Sequence, residues 1–324
     1  MAFLFKTLCA VAGAFVACAT AAQAQSNYPS QPVRLVTAFA AGSASDIVAR
    51  MFADKLRSAL GQPVIVENKP GASGQIATDY VAHAKSDGYT LLLATNTTHS
   101  SNPYLFRKLR YDPISDFTPL VQVCNFPFLL VVGGKLPVKN VGDLLKYGNA
   151  NRGSVNYAYG NSTGQIAAAS FNKITGMGAA GVPYKSTPQA MTDVIGGQVS
   201  FMFVDLASAA SQIQSGNLKA LAVSSEKRSA LVPDLPTVSE SLGKPGFDLV
   251  AWVGIFGPAR MPAVIAKRLG DELYKIAASH EVDEKLRRLG AEPTPAPAHE
   301  FGVFVARQKA VWGEKVREAG IQPE

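Results

Sequence analysis

The sequence predicts an α/β protein of two lobes, and three observations carry that reading. Apolar, β-branched runs alternate with helical patterns along the chain, as in a mostly parallel sheet covered by helices. Two strand-to-helix junctions, at 39–45 and 159–164, share one design of small and hydroxyl residues. Once a leader is removed, 300 of the 324 residues remain, a length at which a single core divides into two bodies.

The leader is residues 1–24: Lys6, an apolar run from Ala10 to Ala19, and the small-x-small boundary Ala22-Gln23-Ala24 before Gln25. That run is too short to span a membrane, and no later stretch supplies about 18 consecutive apolar residues. "FVAC" before Cys18 faintly resembles a lipoprotein box, but Phe15 fits it poorly, so an unlipidated chain starting at Gln25 is expected.

Strands are expected at 33–38, 63–68 and 90–95, with helices near 45–60 and 73–84 between them. The first helix places Val48, Phe52, Leu56 and Ala59 on one face. After "YDPISDFTPL" the pattern restarts with strands at 126–133, 154–160, 196–205 and 218–225 and a helix near 163–176. "RSALVPDLPTVSESLGKPGF" reads as a connection between lobes, followed by a strand in "LVAWVGIFGPA" and helices near 262–278 and 299–319.

Composition excludes several classes of function. Losing Lys6 lowers the formal charge from +7 to +6, with no run of five Lys or Arg, so no nucleic-acid partner is expected. Cys9 and Cys18 fall in the leader, and Cys124 alone forms no internal disulfide. His83, His99, His280 and His299 show no i, i+4 pair and the carboxylates no cluster, so neither metal nor cofactor is expected.

The first junction, "VRLVTAFAAGSASDIVAR", offers backbone N–H groups and hydroxyls at the positive end of a helix, an anion site. With Gly42 alone and no Lys it is neither of the common nucleotide loops, so a smaller anion is expected. The second, "SVNYAYGNSTGQIAAASF", contains Gly160-Asn161-Ser162-Thr163-Gly164, which matches the nucleophile elbow G-x-S-x-G. The alternative function is therefore a secreted serine hydrolase using Ser162 with His280 or His299. Both histidines read as surface residues and no H-G-G-G segment precedes the motif. Ser162 and Thr163 are thus read as helix-capping or ligand-binding hydroxyls.

"YPSQPVRLVTAFAAGSASDIVAR", "GQPVIVENKPGASGQIA", "DGYTLLLAT", "NPYLFRKLRYDPISDFTPL", "VPYKSTPQAMTDVIGGQV" and "LKALAVSSEKRSALVPDLPTVSE" resemble, in order, segments of one family. It is that of the tripartite tricarboxylate transporter solute receptors, also called Bordetella uptake gene (Bug) proteins. The resemblance implies a periplasmic solute-binding protein with a type II-like periplasmic-binding-protein fold, lobe 1 being 25–122 with 228–324 and lobe 2 being 123–227. It implies no catalysis. The ligand would be a small carboxylate (dicarboxylate, tricarboxylate, amino acid or aromatic acid), and membrane transporter subunits would perform transport. Carried over by motif, the ligand-binding residues are Phe39, Ala41, Gly42, Ser43 and Ala44 of the first loop and Tyr159, Asn161, Ser162, Thr163 and Gly164 of the second. Thr95, Asn96 and Thr97 add the turn after the third strand. Where the family usually has Pro before the Phe and a Gly-Gly pair, this chain has Ala38 and Gly42-Ser43. Bulk at Ser43 or Gly164 is expected to block the anion with the fold intact.

Asp46 reads as a helix-start carboxylate, since a second anion beside a bound one repels it. Asp205 ends a strand and either caps the next helix or meets an amino group of the ligand. Phe39, Tyr159 and Tyr184 contact a ligand's carbon skeleton or belong to the lobe cores, whereas Phe126 and Phe128 read as packing at the crossing between lobes.

Overall fold

The computed structural model describes residues 28–323, so the leader, the boundary at Gln25, Cys9 and Cys18 lie outside the described residues. Lobe 1 opens with β1 (Val33–Thr37), buried except at Arg34. α1 (Ala44–Leu60) follows, capped by Ser43 and ended by Gly61 in the left-handed region at φ 68°. Val48, Phe52, Leu56 and Leu60 make its buried stripe. Ala59, expected on that face, is exposed because Leu60 holds the i+4 position after Leu56. β2 (Val64–Asn68), α2 (Gln75–Ala82) and β3 (Thr90–Thr95) complete the unit, with β2 and β3 both parallel to β1. A π-helical turn, Thr97–Ser101, leads into α3 (Asn102–Leu105).

β4 (Phe117–Gly133) then carries the chain into lobe 2, which repeats the winding of lobe 1. After α4 (Val141–Ala150) come β5 (Asn156–Tyr159), α5 (Ser162–Thr175), β6 (Ala180–Pro183), α6 (Thr187–Ile195) and β7 (Phe201–Asp205). β6 and β7 are both parallel to β5. α7 (Leu206–Gln214), β8 (Leu218–Val223) and α8 (Val238–Leu242) follow, the last inside the segment expected to be a plain connection. β9 (Val250–Pro258), α9 (Ala263–Ala277), α10 (His280–Arg288), β10 (Glu292–Pro297) and α11 (Ala298–Ala319) return to lobe 1.

The strand order is β2-β1-β3-β9-β4-β7-β5-β6, with β8 and β10 also on β4. The parallel pairs are β1 with β2 and β3 and β5 with β6 and β7, while the strands around the crossing run antiparallel, so the sheet is mixed. β9 runs against β3 and β4 because it re-enters lobe 1 from the far side. Up to Pro127, β4 pairs with β9, and from Phe128 it pairs with β7 and β8. Phe126 and Phe128, each 3% exposed, bury their rings in one core with Phe203 of β7 and Val253 of β9. That core runs through the crossing.

Candidate functional site

In each lobe the strand order reverses at the first strand, with β2 and β3 on either side of β1 and β6 and β7 on either side of β5. Ligands of open α/β sheets bind in the crevice beyond the carboxyl ends of the strands at such a reversal. The loops leaving β1 and β5 occupy these two points.

The first loop is tied to its own lobe. Gly42 sits at φ +79° with open space around it, so backbone conformation, not room, selects glycine. Ser43 Oγ accepts the Asp46 N–H at 3.3 Å. Asp46, 2% exposed, accepts from Gly42 N at 2.9 Å, Arg50 Nε at 3.0 Å and Asn68 Nδ2 at 2.8 Å. Asn68 Nδ2 also donates to the Phe39 carbonyl at 3.0 Å. Burial alone would raise the Asp46 carboxyl, but the bonds from Arg50, Gly42 and Asn68 outweigh it and hold its pKa below the usual value. Phe39, Ser43 and Ala44 are half-buried, and Ala41 and Gly42 are exposed at the tip.

The second loop meets the other lobe. Asn161, not Ser162 or Thr163, caps α5, its Oδ1 accepting from Gly164 N at 2.8 Å. Ser162 and Thr163, each 2% exposed, turn their hydroxyls to lobe 1. Ser162 Oγ donates to Thr97 Oγ1 at 2.9 Å and lies 2.8 Å from Ser101 Oγ, and Asn96 Nδ2 donates to Thr163 Oγ1 at 2.8 Å. The structure thus brings Asn96 and Thr97 together with Ser162 and Thr163, while Thr95 Oγ1 accepts from Thr97 N at 3.2 Å. A side chain on Gly164 would place Cβ 2.8 Å from the Phe203 carbonyl oxygen. This glycine lets α5 lie against β7, which corrects the expectation that bulk there leaves the fold intact.

Tyr159 and Asp205 end β5 and β7 and Tyr184 directly follows β6, so the three share the lobe 2 rim with this loop. Tyr184 N donates to the Tyr159 carbonyl at 2.9 Å, and Tyr184 Oη donates to Asp193 at 2.6 Å, a bond that pushes its pKa up to about 12. Asp205 caps α7, accepting from Ser208 N at 2.8 Å and Ser208 Oγ at 3.0 Å. Burial raises its pKa in spite of those bonds. Asn68, Arg50 and Ser101 escaped sequence reasoning. Asn68 had a readable signal, since it closes a strand on the same rim as the first loop.

Neither loop contains a Lys or Arg, so its donors to an anion are N–H groups and hydroxyls. Among the described residues no group of three His, Cys, Asp or Glu is placed to hold a metal ion. No described helix is long and apolar enough to cross a membrane. The hydrolase alternative finds no support: Ser162 bonds to hydroxyls, His280 and His299 are exposed, and buried His99 shares a hydrogen bond with Thr98 Oγ1.

Comparison with known proteins identifies the family and the fold. Residues 48–321 match the model of the tripartite tricarboxylate transporter family receptor. Rpa4515 of R. palustris, solved with adipate, has a TM-score of 0.88 at 32% identity, covering 92% of this chain and 100% of its own. The periplasmic binding protein BugD has a TM-score of 0.84 at 34% identity, with 92% and 100% covered. MatC from Rhodopseudomonas palustris, with bound malate, has a TM-score of 0.81 at 30% identity, with 89% and 100% covered. The fold is that of the two-lobed periplasmic binding proteins, and the chain belongs to the tripartite tricarboxylate transporter receptor family.

Proposed function

We propose that this chain is an exported receptor that closes its two lobes on a small organic carboxylate and presents it to the membrane subunits of a tripartite transporter. The observation that carries the reading is the pair of loops at the two strand-order reversals, each opening a helix whose N-terminal end favours an anion. The donors are the backbone N–H groups of Ala41 and Ala44 and those of Ser162 and Thr163 at the start of α5, with Thr95 beside them, the N–H groups of Gly42, Ser43 and Gly164 being bonded within their own loops. Phe39, Tyr159 and Tyr184 line the carbon skeleton. Relatives solved with adipate and with malate favour a dicarboxylate. The change of partners along β4 supports a lobe 2 of residues 128–249, entering five residues later than the boundary at 123 and leaving near β9 rather than at 227.

A thermal-shift screen of the protein against mono-, di- and tricarboxylates and amino acids, with adipate and malate first, tests the reading. A ligand at 100 times its Kd adds about 2.7 kcal/mol of stability. A panel in which no acid moves the melting temperature would refute carboxylate capture. Mass spectrometry of a periplasmic extract tests export, with Gln25 as the expected first residue.

A further inference from the structure

Three hydrogen bonds cross between the lobes within one helical turn: Asn96 to Thr163, Ser162 to Thr97, and Ser101 with Ser162. All five side chains are buried, Asn96 at 1%, Thr97, Ser162 and Thr163 at 2% and Ser101 at 0%. Ser101 Oγ also lies 3.2 Å from the Thr97 carbonyl, so its one proton rests there while the lobes are apart and turns to Ser162 when they meet. Ser162 has one hydroxyl proton and gives it to Thr97, which leaves none for an anion. Of the two hydroxyls that the sequence assigns to the ligand, Ser162 spends its proton on joining the lobes and Thr163 is held there as an acceptor.

We propose that Asn96, Thr97 and Ser101 are positioning residues that hold the first turn of α5 against lobe 1 through Ser162 and Thr163 and keep the lobes shut without ligand. The proposal rests on the two-lobed reading but on no particular ligand. A ligand then shifts the balance between two existing states instead of building the closed one. The seam also carries its own counterweight: Asn96 Oδ1 is buried with no hydrogen-bond partner among the described residues. Parting the lobes lets water reach that oxygen, which keeps the closed state from excluding the ligand altogether.

Each neutral bond shifts the closed-to-open ratio about fivefold, and three together about a hundredfold. The test uses the full mature chain freed of ligand by unfolding in guanidinium, dialysis and refolding, followed by small-angle scattering and amide exchange at 162–165. The unmodified protein should scatter as the closed form. The double variant Asn96→Ala, Ser101→Ala removes two of the three bonds and should show a larger radius of gyration and exchange about 25-fold faster. Thr163→Ala should exchange about fivefold faster and Thr163→Ser should restore protection. Thr175→Ala, whose hydroxyl bonds Phe171 inside lobe 2, should change neither readout. An unmodified chain already as expanded as the double variant, or a Thr163→Ala variant as compact and protected as the unmodified chain, would overturn the proposal. Because no ligand is added, either result is separable from a failed carboxylate screen.

Discussion

Asn68 Nδ2 donates at once to Asp46 Oδ1 at 2.8 Å and to the Phe39 carbonyl at 3.0 Å, pinning both ends of the first loop to the end of β2. Arg50 completes the tie, with Nε on Asp46 and Nη2 donating to Asn68 Oδ1 at 3.3 Å. The loop proposed to face an anion is therefore set in place by its own lobe.

Asn68→Asp removes both donated bonds and puts a second carboxylate against Asp46. We expect a loss of about 1 to 3 kcal/mol in urea denaturation. Calorimetric titration with whichever acid the screen identifies should show about tenfold weaker binding. Unchanged stability and affinity would mean that the tie is incidental.

His99 carries a pH signature. Its ring is stacked on Phe256 at 4.3 Å between centroids and tilted against Phe117 at 4.7 Å, and Nε2 has no hydrogen-bond partner among the described residues. Burial lowers its pKa to about 3. The unfolded chain takes up this proton near pH 6.5 and the folded chain does not, so stability falls as pH falls, by about 1.4 kcal/mol per unit below 6.5. Urea titrations between pH 4 and 7 should show a shallower slope in His99→Phe than in the unmodified protein. Parallel slopes would contradict a buried neutral imidazole.

Asp205 gives the opposite sign. Its carboxyl is raised on folding, so its stabilising contribution belongs to acid pH and is lost as pH rises through the folded value. Asp205→Asn keeps an oxygen to accept the Ser208 N–H and removes the buried charge. The variant should be more stable than the parent at pH 7, with the advantage shrinking toward pH 3. If the ligand carries an amino group read by Asp205, the same change should also weaken its binding, whereas a simple dicarboxylate should bind as before.

What the sequence made legible follows the range of the interactions. β3 matches the expected 90–95 run and β1 and α1 fall within a residue of expectation, because continuous apolar runs and helical stripes are local signals. β10 was hidden, since "EPTPAP" reads as loop, yet proline is tolerated where a strand pairs on one side only. The capping box of Thr237 and Glu240 stood in plain view inside the segment taken as a connection. Ser101 could not be read, because its partner Ser162 lies 61 residues away, whereas the place of Asn68 at the end of a strand was a signal left unused. Gly164 was misread because its constraint, the backbone of β7, comes from a distant strand.

Gly164→Ala should accordingly destabilise the fold by about 1 to 3 kcal/mol, since its Cβ would press on the Phe203 carbonyl. Chemical denaturation of the ligand-free protein measures this. A variant as stable as the parent that only binds more weakly would return Gly164 to the role of clearing a path for the anion.

The long strand β4 also fixes an order of birth. Pro127 stands opposite Val250, so everything between them leaves lobe 1 and comes back to the point of departure. With lobe 2 spanning residues 128–249 as proposed, it is complete on a ribosome once residue 249 has emerged. Lobe 1, begun first, still waits for β9, the strand lying between β3 and β4. Nascent chains halted after 249 should then hold a protease-resistant lobe 2 beside a digestible N-terminal segment, reversing the usual N-terminal-first sequence. The lobe whose strands come first along the chain is the lobe completed last.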